Sequence, residues 1–143
     1  MIAFDTNILV HAHRAESPFH PKAAAALKAA AEGSTPWAIT WSSVHEFLAI
    51  ATNPRVFQPP SPVDAALNQV QLWMESPTLV LLGEDDGYWS VLKRLLEETR
   101  VTGARVHDAR IAAVALLHQV DALYTADRDF SRFAALKTVN PLV

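Results

Sequence analysis

Along this chain, short apolar runs alternate with longer segments in which apolar residues recur at helical spacing. Ile2-Ala3-Phe4 stops at the polar Asp5-Thr6-Asn7, the pattern of a buried strand ending in a turn. A helix is predicted from about Ile8 to Arg14, broken by Ser17-Pro18. Lys22 to Glu32 is alanine-rich and helical, with Gly33 as its stop. Trp37 to Trp41 reads as a second strand, and Ser42 or Ser43 is the expected cap of a helix running to about Thr52. Pro54, Pro59, Pro60 and Pro62 make the stretch from Asn53 to Pro62 a loop. Val63 to Met74 is helical, with Val63, Leu67, Val70 and Met74 on one stripe, and Leu79 to Leu82 is a third buried strand.

The second half repeats the alternation. Asp85 or Asp86 is the expected cap of a helix from Tyr88 to about Val101, and Gly103 to Val106 is a connector. His107 to Gln119 is apolar on nearly every side, as in a helix buried on several faces. Ala122 to Thr125 is a fourth strand, followed by Ala126-Asp127-Arg128-Asp129-Phe130, and a last strand is expected near Lys137 to Val139. Strands alternating with helices predict an α/β fold: a three-layer α/β/α domain, 1–143, around a central, mostly parallel sheet. In such sheets ligands bind beyond the carboxyl ends of the strands, where Asp5 and Asp127 both fall.

Composition narrows the chemistry. At 143 residues, half of them hydrophobic, the chain has enough apolar material for one sizeable core. Cysteine is absent, which excludes disulfides and thiolate chemistry and is compatible with a cytoplasmic setting. The opening residues lack the basic and apolar regions of a signal peptide, and no apolar run reaches membrane-spanning length, so no membrane association is expected. The net charge of −3 counts against coating nucleic acid by phosphate neutralisation alone. It does not count against a nuclease, because a metal-binding carboxylate cluster is itself negative.

Asp5, Glu46, Asp108 and Asp127 stand at element boundaries, with Asp129 close behind. Gathering like charges in a cleft is costly unless a cation occupies it. Mg²⁺ takes oxygen ligands, and in phosphodiester hydrolysis it polarises the phosphoryl group and acidifies the attacking water. With no cysteine and no His-x-x-x-His or His-Glu-x-x-His spacing, a zinc site is disfavoured. Each acid also has a structural reading. Asp5 is placed to cap the helix after it, and Glu46 stands at capping-box spacing from Ser43. Asp108 opens a helix, where the dipole favours an acid. Asp127 or Asp129, the latter preferentially, is placed to cap a final short helix. Spacing alone leaves these alternatives open.

Four segments in order then carry a resemblance: Ile2-Ala3-Phe4-Asp5-Thr6-Asn7, Val44-His45-Glu46-Phe47, His107-Asp108-Ala109 and Thr125-Ala126-Asp127-Arg128-Asp129-Phe130. With Asn53-Pro54-Arg55-Val56-Phe57 and the closing Asn140-Pro141-Leu142, the sequence resembles the PIN-domain family, and within it the VapC toxins of bacterial toxin–antitoxin pairs. The resemblance spans essentially the whole chain. It implies that Asp5, Glu46, Asp108 and Asp127 line one catalytic pocket and bind Mg²⁺ or Mn²⁺, with Asp129 a further candidate ligand. It implies that Thr125 contacts a ligand or the scissile phosphate and that Thr6 orients a carboxylate. The implied activity is an RNA endonuclease leaving a 5′-phosphate and a 3′-hydroxyl. The implied partners are RNA, a cognate VapB-like antitoxin and a second copy in a homodimer. Arg128, with Arg14, Arg55, Arg110 and Arg132, is a candidate for gripping the RNA, although a solvated surface role is the commoner fate of any one arginine.

Other residues fit less specific roles. His11, His13, His45 and His107 suit hydrogen bonding better than metal ligation. Trp37, Trp41, Trp73 and Trp89 suit packing in a core or dimer better than base stacking. Gly83 and Gly87 do not form a phosphate-cradling loop. Hydrolases that phosphorylate an aspartate also open with a strand ending in Asp. They require a second acid two residues later, and here that position is Asn7. A non-catalytic PIN-like scaffold would have no need of the full acidic set.

Overall fold

In the computed structural model, which describes residues 1–143, five strands form one parallel sheet. They are β1 (Ile2–Phe4), β2 (Trp37–Thr40), β3 (Leu79–Leu82), β4 (Ala122–Tyr124) and β5 (Thr138–Val139), in the order β3-β2-β1-β4-β5. The helices are α1 (Thr6–His13), α2 (His20–Glu32), α3 (Trp41–Ala51), α4 (Val63–Met74), α5 (Tyr88–Thr99) and α6 (Val106–Leu117). Short 3-10 turns cover Gly103–Arg105 and Arg128–Arg132.

The two-residue period of the strands divides their side chains between two cores. Ile2, Phe4, Trp37 and Ile39 face α1 to α4, where Ile8, Leu9, Val44, Phe47, Val70 and Trp73 close the layer. Ala3, Ala38 and Leu123 face α5 and α6. This second layer is lined by small side chains, with Ala109, Ala112, Ala113 and Ala115 of α6 fully buried. Alanine against alanine brings helix and sheet backbones close, and α6 starts beside the carboxyl ends of the strands. The opposite layer packs aromatic rings edge to face, Phe4 against Trp37 and Phe47 against Trp73. Each such large apolar side chain contributes roughly 1.5–3 kcal/mol through burial.

From β1 the chain steps outward to β2 and β3, then returns to lay β4 on the other side of β1. The crevice between β1 and β4 is therefore the topological switch point, the place where such sheets bind ligands.

Several local expectations are corrected. Thr40, not Ser42 or Ser43, caps α3, its hydroxyl accepting from the Ser43 N–H at 3.1 Å. Ser42 and Ser43 instead hydrogen-bond the Thr40 hydroxyl. Neither Asp85 nor Asp86 caps α5 with its side chain. Gly87 occupies that position at φ 91°, a left-handed backbone open to glycine at no steric cost. On α4 the buried stripe is Ala66, Val70 and Trp73, while Val63 and Leu67 face outward. The error came from ranking residues by hydrophobicity: α4 buries the small Ala66 and leaves two larger side chains at the surface. The prediction started α1 and α2 two residues late and ran α6 two residues too far.

Candidate active site

Asp5 follows β1 and is 5% exposed. It is the N-cap of α1, one carboxylate oxygen accepting from the Thr6 N–H at 2.7 Å. The other oxygen accepts from the Thr125 hydroxyl at 2.7 Å and from the Asn7 amide at 3.3 Å. Capping thus uses one face of the group and leaves the remainder for chemistry. A carboxylate offers about four lone-pair positions, so the three donors leave it room for a further electropositive partner. Burial pushes the Asp5 carboxyl up to about 6, against the pull of the Thr125 and Thr6 hydrogen bonds, and the charges of Glu46 and Asp108 add to the rise.

Thr125, just past β4, is buried. Its hydroxyl donates to Asp5 and accepts from the Asp127 N–H at 3.0 Å and from the Asn7 amide at 3.3 Å. These bonds tie Thr125 to Asp5, and Thr125 also lines the cavity beside Asp127. Asn7 completes the lattice, its carbonyl oxygen accepting from the Ala126 N–H at 3.3 Å. Sequence reasoning used Asn7 only to exclude a phosphorylated aspartate. Its place two residues after Asp5 was the available signal for a local hydrogen bond.

Glu46 comes from α3. Its carboxylate accepts from the Thr6 hydroxyl at 3.0 Å. The capping box with Ser43 is not formed, because the helix begins earlier. Asp108, in the first turn of α6, and Asp127 and Asp129, after β4, converge: one carboxylate oxygen from each lies within 4.8 Å of the others. Burial again raises Asp108, and Asp127, Glu46 and Asp129 push it further. Asp127, not Asp129, caps the 3-10 turn, accepting from the Asp129 N–H at 2.8 Å.

The structure thus brings Asp108, Asp127 and Asp129 within ligating distance of one another. Asp5 and Glu46 lie near enough to act on the same charges without joining that tight trio. An all-oxygen donor set with this much crowded negative charge suits a hard divalent cation such as Mg²⁺. Beside it, on the Asp127 side, a cavity of about 320 Å³ is lined by Arg128, Ser131, Thr138 and Asn140.

The candidate arginines diverge. Arg128 lines that cavity. Arg110 is paired with Glu84 on the cleft rim and holds the Glu84 carboxyl below its usual range. Arg14 is committed elsewhere, to Glu16, Ser61 and the Pro59 carbonyl, with its guanidinium 4.2 Å from the Phe57 ring centre. His11 and His13 hydrogen-bond Ser17 and the Ser61–Gln69 pair. Trp37 and Trp73 are core residues, whereas Trp41 and Trp89 are exposed. Arg105, whose guanidinium lies 2.5 Å from Asp129, was missed. Its position three residues before Asp108, one helical turn away, was the signal.

The family model of the PIN domain matches residues 2–136. Ribonuclease VapC31 of Mycobacterium tuberculosis is 33% identical over 144 residues, covering 99% of each chain. Ribonuclease VapC48 of the same organism is 28% identical, covering 96% of this chain and 95% of its own. The fold is also that of the crystal structure of VapBC2 from Rickettsia felis bound to a promoter DNA fragment. There the TM-score is 0.68 at 19% identity, over 98% of both chains.

Proposed function

This chain belongs to the PIN-domain family, and on that premise we propose that it is a divalent-metal-dependent endoribonuclease, the toxin of a VapBC-type pair. The observation that carries the reading is the convergence of Asp108, Asp127 and Asp129 at the switch point where Asp5 is buried and tied to Thr125. The whole of 1–143 is taken as one catalytic domain.

Asp5, Asp108 and Asp127 would hold Mg²⁺ or Mn²⁺, with Glu46 completing the acidic wall. When bound, the cation would acidify a water and neutralise charge on the scissile phosphate. The chain's own contribution is positional. Thr125 and Thr6 fix both oxygens of Asp5 before any ion arrives, and Thr6 fixes Glu46. Pre-organised carboxylates lose little freedom on binding. Glu46, aimed by the Thr6 hydroxyl, is placed to take a proton. Arg128, lining the adjoining cavity, is placed to meet an RNA phosphate. The products would be a 5′-phosphate and a 3′-hydroxyl.

An antitoxin and a second copy are part of the same proposal. A structure of the same fold from Klebsiella pneumoniae is a toxin–antitoxin complex, and α4 of this chain leaves Val63, Leu67 and Leu72 exposed for a partner to cover. No helix is long and apolar enough to cross a membrane, in keeping with the proposed cytoplasmic setting.

The test pairs a substitution with metal removal. Glu46→Gln keeps an acceptor for the Thr6 hydroxyl but loses the charge. It is expected to abolish cleavage of RNA while shifting stability by less than about 0.5 kcal/mol. EDTA is expected to stop the wild type, and Mg²⁺ or Mn²⁺ to restore it. Cleavage that persists in EDTA, or full activity of Glu46→Gln, would overturn the reading.

A further inference from the structure

Arg105 sits in the 3-10 turn that leads into α6, one helical turn before Asp108. Its Nη1 lies 2.5 Å from an oxygen of Asp129. That nitrogen is shut off from solvent, yet none of its N–H bonds is directed at an acceptor. The contact is one of charge, not of aligned hydrogen bonds. It differs from the forked, bidentate geometry in which a structural arginine clamps a carboxylate. Asp129 in turn belongs to the trio whose oxygens lie within 4.8 Å of one another, and the charge of Arg105 also acts on Asp108. A fixed positive charge therefore already stands inside the cleft, against the acid farthest along the chain from Asp5.

We infer that Arg105 is the cleft's second cation. Held against Asp129, it fills the place a second metal ion would take, so the acidic set binds one ion. This rests on the metal-nuclease reading above and deepens it. It removes Asp129 from the candidate metal ligands and makes it the counter-ion that positions Arg105. Two-metal nucleases use a pair of ions to balance charge on the attacking and leaving oxygens. Here a guanidinium, which does not dissociate, supplies the second positive charge at the phosphate.

The experiment is a calorimetric titration of the full chain with Mn²⁺, with no RNA present, comparing wild type, Arg105→Gln, Arg105→Lys and Asp129→Asn. Circular dichroism checks that each is folded. The wild type is expected to bind one ion. Arg105→Gln is expected to bind two, because Asp129 is released, and Arg105→Lys to return to one. Asp129→Asn is expected to keep the first ion with less than about a tenfold change in Kd, smaller than the loss of a ligand produces. Two ions in the wild type, or one ion in both wild type and Arg105→Gln, would overturn the assignment of Arg105 while leaving the nuclease reading intact. A wild type that binds no Mn²⁺ would overturn both.

Discussion

The two halves of the cleft present the same chemical group in opposite settings. Asp5 is sealed beneath the surface and met by three donors. Asp108, Asp127 and Asp129 are half-exposed and met mainly by one another. The buried half is shaped by hydrogen bonds before any ligand is present. The open half is shaped by the balance between carboxylate repulsion and the cations that relieve it. A site built in this way has one rigid anchor and one adjustable wall. The anchor comes from the strand end, where the backbone is fixed on both sides by the sheet. The wall comes from a helix start and a 3-10 turn.

The largest effect that separates the halves is expected from neutralising Asp5. Its folded-state value of about 6 stands above the ordinary 3.8. The metal-free folded protein therefore holds that proton more tightly than the unfolded chain does between those values. Stability is thus expected to fall as pH rises from about 4 to 6, by an amount of roughly 3 kcal/mol from this group. Asp5→Asn removes the buried charge but cannot accept from both Thr6 and Thr125, which costs about 1 kcal/mol. In EDTA at pH 7.5 the variant is expected to gain about 1–2 kcal/mol over wild type while losing all metal-dependent cleavage. The part of the slope that remains in the variant belongs to Asp108, which is raised by the same cause. Urea midpoints measured across that range would settle the point. Equal slopes in wild type and variant would show that burial does not control Asp5.

Thr125 joins the halves, since one hydroxyl donates to Asp5 and accepts from the Asp127 N–H. Thr125→Val preserves shape and deletes both links. The expected outcome is a loss of about 10–100-fold in Mn²⁺ affinity, of the size seen when a ligand's supporting hydrogen bond is removed. Thr125→Ser is expected to stay near wild type. A valine variant that binds Mn²⁺ as tightly as wild type would mean that the anchor and the wall are independent.

The division between the halves also decides what could be read from the sequence. The strands and their order of appearance were legible, because each is a brief apolar run bounded by polar turns. The acidic residues were legible as boundary residues, and Asp5 as a helix cap follows from a strand that ends where a helix begins. The sheet order was not legible, because it depends on which crossover packs beside β1. The resemblance implied a ligand contact for Thr125, and nothing in the sequence marked it as a partner of Asp5. Only the return of β4 alongside β1 turns its hydroxyl toward Asp5. Arg105 was hidden for a similar reason. Its spacing from Asp108 was the only local sign of it, because its partner Asp129 is twenty-four residues away in sequence, across a buried helix and a strand. On α4 the error was one of size, since Ala66 is buried while Leu67 is not.

The smallest effect is expected at the outer rim, where Arg110 of α6 is paired with Glu84 beyond the end of β3. Both side chains are substantially exposed, so the pair is screened by water and ions, and its contribution to folding should stay below about 1 kcal/mol. Its position still gives it a role, because the Arg110 charge acts on Glu46 in the cleft. Glu84→Gln is expected to leave the fold intact and removes a negative charge from the rim of the cleft, where the proposed RNA would approach. In a Glu46→Gln background, expected to bind without cutting, the added substitution is expected to tighten RNA binding by a few-fold at low salt. The gain should vanish at about 0.5 M salt, where charges this exposed are screened over a few ångströms. If burial sets the scale of each acid's effect, this rim pair must be the weakest of the series in stability and the most sensitive to salt. A stability loss above about 2 kcal/mol in Glu84→Gln would place Glu84 with Asp5 on the built side of the cleft, and the rule that separates the two halves would fail at its edge.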